Sequence, residues 1–148
     1  MNTFCKRRAA LEDERGQRLS TWRISILLDC SERHVRHLMS WPDDEVRPAY
    51  VLALEYAREM GVDACIHLIE TRPDALRRLL DDVTLSRTAV ARKLGIDRST
   101  LYRYTQRDRD AGVPRHHHLA LLFLHLHYAR GAMPADVADH IQFFNEAQ

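Results

Sequence analysis

Arg98 and Arg103 stand in the run Arg98-Ser99-Thr100-Leu101-Tyr102-Arg103. If that run is helical, positions 98, 99, 102 and 103 share one face, so two guanidinium groups, a hydroxyl and a phenol project together. Such a set suits phosphates and base edges. A guanidinium donates in a planar fork that fits guanine O6 and N7 or a phosphate. Glu32, Arg33, Arg36 and His37, with His34 nearby, form a second and less cationic outer set earlier in the chain.

The other reactive residue types do not assemble. Consecutive histidines on a helix, such as His116-His117-His118, point about 100° apart and cannot share one ion. The pairs His34/His37 and His118/His125 lack the companion ligands of a zinc site, so no metal is expected. The triplet reads instead as a cationic or polar helix start near phosphate. Cys5, Cys30 and Cys65 are odd in number and widely spaced, which fits free thiols in a reducing cytoplasm. No serine sits in a nucleophile elbow and no glycine-rich phosphate loop follows a strand. Neither an enzyme nor a cofactor is expected. The N-terminus lacks the apolar run of a signal peptide, and Leu119 to Leu124 is far too short to span a bilayer.

Two short helices must hold the outer set in place. In Ser86 to Gln106, residues Val90, Ala91, Leu94, Ile96, Leu101 and Tyr104 form one apolar series around Gly95. The spacing predicts a helix over Arg87 to Leu94, with Val90 and Leu94 on one face. Ala91 is small where a second helix crosses, and Gly95 accepts the left-handed backbone that ends the first helix. Ile96 fills the corner and Asp97 is placed to cap the helix over 98–106. This stretch resembles a helix-turn-helix. Its corner is similar to phage-repressor (Cro/CI-like) domains, and the run from Arg98 to Arg103 is similar to the recognition helix of Fis-type domains.

Sliding the chain by 66 residues brings an earlier stretch, Leu19 to Leu38, into the same apolar register. Ile24 falls on Val90, Ser25 on Ala91, Leu28 on Leu94, Cys30 on Ile96, Val35 on Leu101 and Leu38 on Tyr104. Ser31 takes the capping place and Asp29 takes that of Gly95, where aspartate tolerates a left-handed turn better than most residues. Pro48 and Pro114 likewise correspond, each at the start of an apolar helical pattern. The expected fold is all-α: two repeated helix-turn-helix units, 1–61 and 73–148, joined by a connecting helix over 62–72. A lead helix over Lys6 to Glu14, frayed at its start, precedes the first reading pair, and one over Pro73 to Asp82, capped by Thr71, precedes the second. Pro48 to Met60 offers a stripe of Val51, Leu54 and either Tyr56 or Ala57. The helix over 114–130 is apolar over more than half its circumference, which points to a homodimer interface or to the seam between the units. Met133-Pro134 opens a final helix that docks through Val137, Ile141 and Phe144.

Charge agrees with this division. The formal net charge is +1, yet residues 85–118 hold 8 Lys and Arg against 3 Asp and Glu, while residues 19–60 hold 5 against 7. Nucleic-acid affinity rests on local cationic density, because neutralised phosphates release counterions. The resemblance implies a sequence-specific regulator of bacterial or phage type that binds double-stranded DNA. A repressor in the cytoplasm, associated with the nucleoid, is the form expected. In that reading Arg98 or Arg103 reads guanine, Ser99, Thr100 and Tyr102 tune position and stacking, and Arg87, Lys93 and Arg107 hold phosphates. Arg33, His34, Arg36 and His37 are the counterparts in the first unit. The alternative is a helix-turn-helix shape used to bind another protein, favoured by the near-neutral charge and the acidic run Asp43-Asp44-Glu45.

Overall fold

Side-chain caps and left-handed turns punctuate the chain into helices, and the described residues contain no strand. The computed structural model describes residues 1–67, 73–106, 113–127 and 133–148. Helix α1 (Thr3–Arg15) begins where the Asn2 side chain accepts from the Cys5 N–H and ends at Gly16, φ 62°. Its start is anchored, not frayed. The Thr3 N–H donates to Asp43 Oδ1 at 2.8 Å and its hydroxyl to Oδ2 at 3.1 Å, while Phe4 is fully buried. That anchor extends the helix beyond the expected Lys6 to Glu14, because its free N–H groups find a carboxylate 40 residues away.

Helices α2 (Thr21–Leu28) and α3 (Glu32–Ser40) are capped by Ser20 and Ser31. A 3-10 turn at Asp43–Glu45 leads into α4 (Pro48–Met60), and α5 (Val62–Ile66) follows Gly61. The rest of the expected connection, residues 68–72 with the Thr71 cap, lies outside the described residues. Then come α6 (Pro73–Asp82), α7 (Arg87–Leu94) and α8 (Arg98–Tyr104). Helices α9 (Arg115–His127) and α10 (Ala135–Ala147) complete the series. Residues 128–130 of the expected long helix are outside the description.

The core is one continuous body running through both halves of the chain. Its centre is the pair α4 and α9, which make the most extensive helix–helix contact in the molecule. Every residue of α4 from Pro48 to Ala57 is buried, so the expected stripe is in fact the whole cylinder. On α9, Leu119, Ala120, Leu121, Phe123 and Leu124 are buried within this one chain. The apolar circumference that suggested a homodimer through residues 114–130 is therefore satisfied internally, as the seam. Helix α10 docks through Val137, Ile141 and Phe144 against the 3-10 turn, α4 and α7.

Burying α4 on all sides places a carboxylate in the core. Glu55 has no exposed surface, and its oxygens meet Arg7 of α1 and Arg58, the latter at 3.0 Å. Arg7 also holds Asp136 of α10 at 3.0 Å. Three helices are thus tied by one ionic cluster in which the buried charge is paired.

Candidate nucleic-acid interface

The corner between α7 and α8 is built as its residue types require. Ser86 accepts from the Ala89 N–H, and Val90, Ala91 and Leu94 are buried. Gly95 lies at φ 72°, ψ 32°, and the Ile96 N–H reaches back to the Ala91 carbonyl at 3.0 Å. A second constraint was not visible in the sequence. A Cβ on Gly95 would stand 2.6 Å from Pro48 Cδ and 2.9 Å from Phe144 Cε1. Ile96 is half-buried against the core and Leu101 is buried. Asp97 has the extended backbone of a cap residue, but its side chain accepts no capping bond. The expected aspartate cap is corrected to a backbone feature only.

From this base α8 turns Arg98, Ser99, Tyr102 and Arg103 to solvent, with Tyr102 58% exposed. The Arg103 guanidinium donates to Thr100 Oγ1 at 3.1 Å, which holds it along the helix surface. Lys93 is half-buried, Arg87 pairs with Asp81 at 3.1 Å, and Arg107 lies outside the described residues. Tyr104 closes the helix inward. Its hydroxyl meets His117 Nδ1 at 2.8 Å, and burial raises its pKa.

The corner between α2 and α3 follows the same backbone course. Asp29 is the one non-glycine residue at positive φ among those described, at 59°. The Cys30 N–H reaches back to the Ser25 carbonyl at 3.1 Å, and Ser31 accepts from the His34 N–H at 3.0 Å. Glu32, Arg33 and Arg36 are exposed. His37 stacks on Trp41, with ring centres 5.3 Å apart. His34 is directed elsewhere: its Nε2 meets the Tyr50 hydroxyl at 2.9 Å, and desolvation lowers its pKa. The acidic run is also partly turned in. Asp43 faces Thr3 and stands 3.5 Å from His140 Nδ1.

The histidine triplet is where expectation and structure part most clearly. His116 and His117 are buried, at 6% and 4% exposure, and do not form a cationic helix start facing phosphate. His116 Nδ1 meets the Leu28 carbonyl at 2.6 Å, the last residue of α2, while its ring lies on Tyr50. Desolvation pushes its pKa down to about 4 and that of His117 to about 3. Both are neutral near pH 7.

A cleft of about 330 Å³ beside the start of α8 was not legible beforehand. Arg47, from the approach to α4, and Arg92, from the end of α7, line it with Thr100, Phe144 and Asn145. Arg47 stands next to Pro48, so the contact of Pro48 with Gly95 is what carries it there. Among the described residues no three His, Cys, Asp or Glu side chains gather as a metal site, and no helix is long and apolar enough to cross a membrane. No protein-family model, curated protein or solved structure matches this chain.

Proposed function

We propose that the chain is a sequence-specific double-stranded DNA-binding regulator of bacterial or phage type, acting in the cytoplasm on the nucleoid as a repressor. The observation that carries this is the outer face of α8. Arg98, Ser99, Tyr102 and Arg103 lie together in solvent on a short helix braced from beneath by Leu101 and the Gly95 turn. In a major groove, Arg98 or Arg103 donates two hydrogen bonds to a guanine, Ser99 and Thr100 set position, and the Tyr102 ring contributes stacking or a phosphate bond. Lys93 and Arg87 are assigned to the phosphates, and Arg107, outside the described residues, is assigned there by its place in the sequence alone. Arg47 and Arg92 add positive charge beside the same helix start. Repression requires only that promoter DNA be covered, and no further surface is invoked.

The second reading is a protein-interaction module. The inward course of Asp43 weakens the acidic surface that favoured it, whereas the exposed Trp22, 59% accessible, speaks for it. Titration of random duplex across a salt series separates the two. A reader that displaces counterions loses affinity steeply, with log–log slope near −0.9 per phosphate contact. Flat, weak retention at every salt concentration would leave the interaction module as the better account.

A further inference from the structure

We infer that the two helix-turn-helix units are paired across an internal two-fold axis, so that one chain offers two reading helices, in inverted orientation, to a duplex with unlike halves. The inference rests on the DNA-binding reading and adds the form of the target and the stoichiometry. The 66-residue offset equates α2 with α7, α3 with α8 and α4 with α9. The largest helix contact, α4 on α9, then joins a helix to its own counterpart. The contacts beside it exchange: α4 packs on α7, and α9 packs on α2.

The same exchange holds at the level of residues. Pro48, at the start of α4, presses on the Gly95 turn of the other unit. Arg115, at the start of α9, donates its backbone N–H to the Asp29 carboxylate at 3.4 Å and its guanidinium to the Ile26 carbonyl. Each turn is therefore seated on the opposite unit's long helix. Tyr50 and His116, equivalent under the offset, meet each other. Contacts that survive exchange of partners are the mark of an isologous, two-fold arrangement; successive units in a stack would not reciprocate.

A duplex has antiparallel strands, so readers related by a two-fold axis meet inverted half-sites. Here the readers differ. Glu32, Arg33, Arg36 and His37 face one half and Arg98, Ser99, Tyr102 and Arg103 the other, so the two halves differ in sequence. The apolar faces of α4 and α9 are already buried, and no second copy is needed to complete the pair.

Selection of the full chain against random duplexes tests this, with the recovered complex weighed by sedimentation. The expected result is one chain per duplex and two unlike half-sites in inverted orientation. Arg103→Ala relaxes base preference in one half only and Arg36→Ala in the other only, each lowering affinity roughly 5- to 150-fold. A single half-site, a direct repeat or two chains per duplex overturns the two-fold pairing and leaves DNA binding standing. So does an Arg36→Ala chain that selects unchanged bases in both halves. Failure to retain any duplex at low salt overturns this inference together with the reading beneath it.

Discussion

The ring of Tyr50 lies on the ring of His116, with centres 4.3 Å apart and planes inclined by 22°. Each ring then reaches outward. The Tyr50 hydroxyl meets His34 of α3, and the His116 ring contacts His117, which meets Tyr104 of α8. A line of polar rings thus crosses the seam from one outer helix to the other. Burial favours the neutral imidazole at each place in this line, with desolvation lowering the pKa of His34, His116 and His117.

Stability therefore falls on acidification. An unfolded histidine titrates near pH 6.5, whereas the folded pKa values are about 4 for His116 and about 3 for His117. Below pH 6.5 the unfolded chain takes up protons that the folded chain refuses, until the folded pKa is reached. Each ring then costs about 1.4 kcal/mol of stability per pH unit, and contributes no slope above pH 6.5. His34, His118 and His140, also lowered by burial, act in the same direction. Urea unfolding between pH 7 and pH 4.5 should show the decline, and His117→Phe should reduce its slope by about 1.4 kcal/mol per pH unit. A slope identical to that of the parent chain would mean that His117 is charged in the fold.

The two turns respond differently to substitution. Gly95→Ala adds a methyl where Pro48 and Phe144 leave no room, on a backbone that already disfavours it. The expected loss is about 2–4 kcal/mol. Asp29→Gly relieves the left-handed backbone but gives up the contact with Arg115, so its net change stays within about 1 kcal/mol. Denaturant midpoints of the two variants give the comparison.

Glu55→Gln keeps the shape of the side chain and removes its charge. Arg7 and Arg58 would face a neutral amide in the core, and about 3–5 kcal/mol of stability should be lost. Because Arg7 also holds Asp136, hydrogen exchange should quicken in α10 as well as in α4. Protection unchanged in α10 would show that the cluster does not couple the helices.

Arg98→Ala and Arg103→Ala alter exposed side chains and should leave thermal unfolding within about 0.5 kcal/mol of the parent. Each should weaken binding to a selected duplex by about 1–3 kcal/mol. Variants that bind that duplex as the parent does would remove α8 from the contact.

Local physics was readable from the sequence, and long-range pairing was not. Val90, Leu94 and Leu101 declared the α7–α8 corner because their spacing is itself the geometry of two crossing helices. Pro48 and Gly61 bounded α4 to the residue because a first-turn proline loses no hydrogen bond and glycine takes the positive φ that ends the helix. Glu55, in contrast, is not part of the expected stripe of Val51, Leu54 and Tyr56 or Ala57, and nothing in its neighbours along the chain announces its burial. Its burial depends on Arg7, far away in the chain. The histidine triplet misled because His116 finds its partner, the Leu28 carbonyl, 88 residues earlier. Periodicity set His34 only near the outer positions Glu32, Arg33, Arg36 and His37, and its turn toward Tyr50 is a matter of tertiary packing.

Helix α10 reaches back across both halves of the molecule. Phe144 seats the Gly95 turn, Asn145 donates to the Arg92 carbonyl at 3.0 Å and Gln148 to that of Asp44 at 3.2 Å. Ribosomes deliver polypeptide from the amino end, so α7 and α8 emerge before the element that clamps their corner. A nascent chain halted near residue 130 would carry the residues of the α7–α8 corner and still lack Phe144 and Asn145, which pack against it. Completion of the α7–α8 corner is thereby timed to the synthesis of α10.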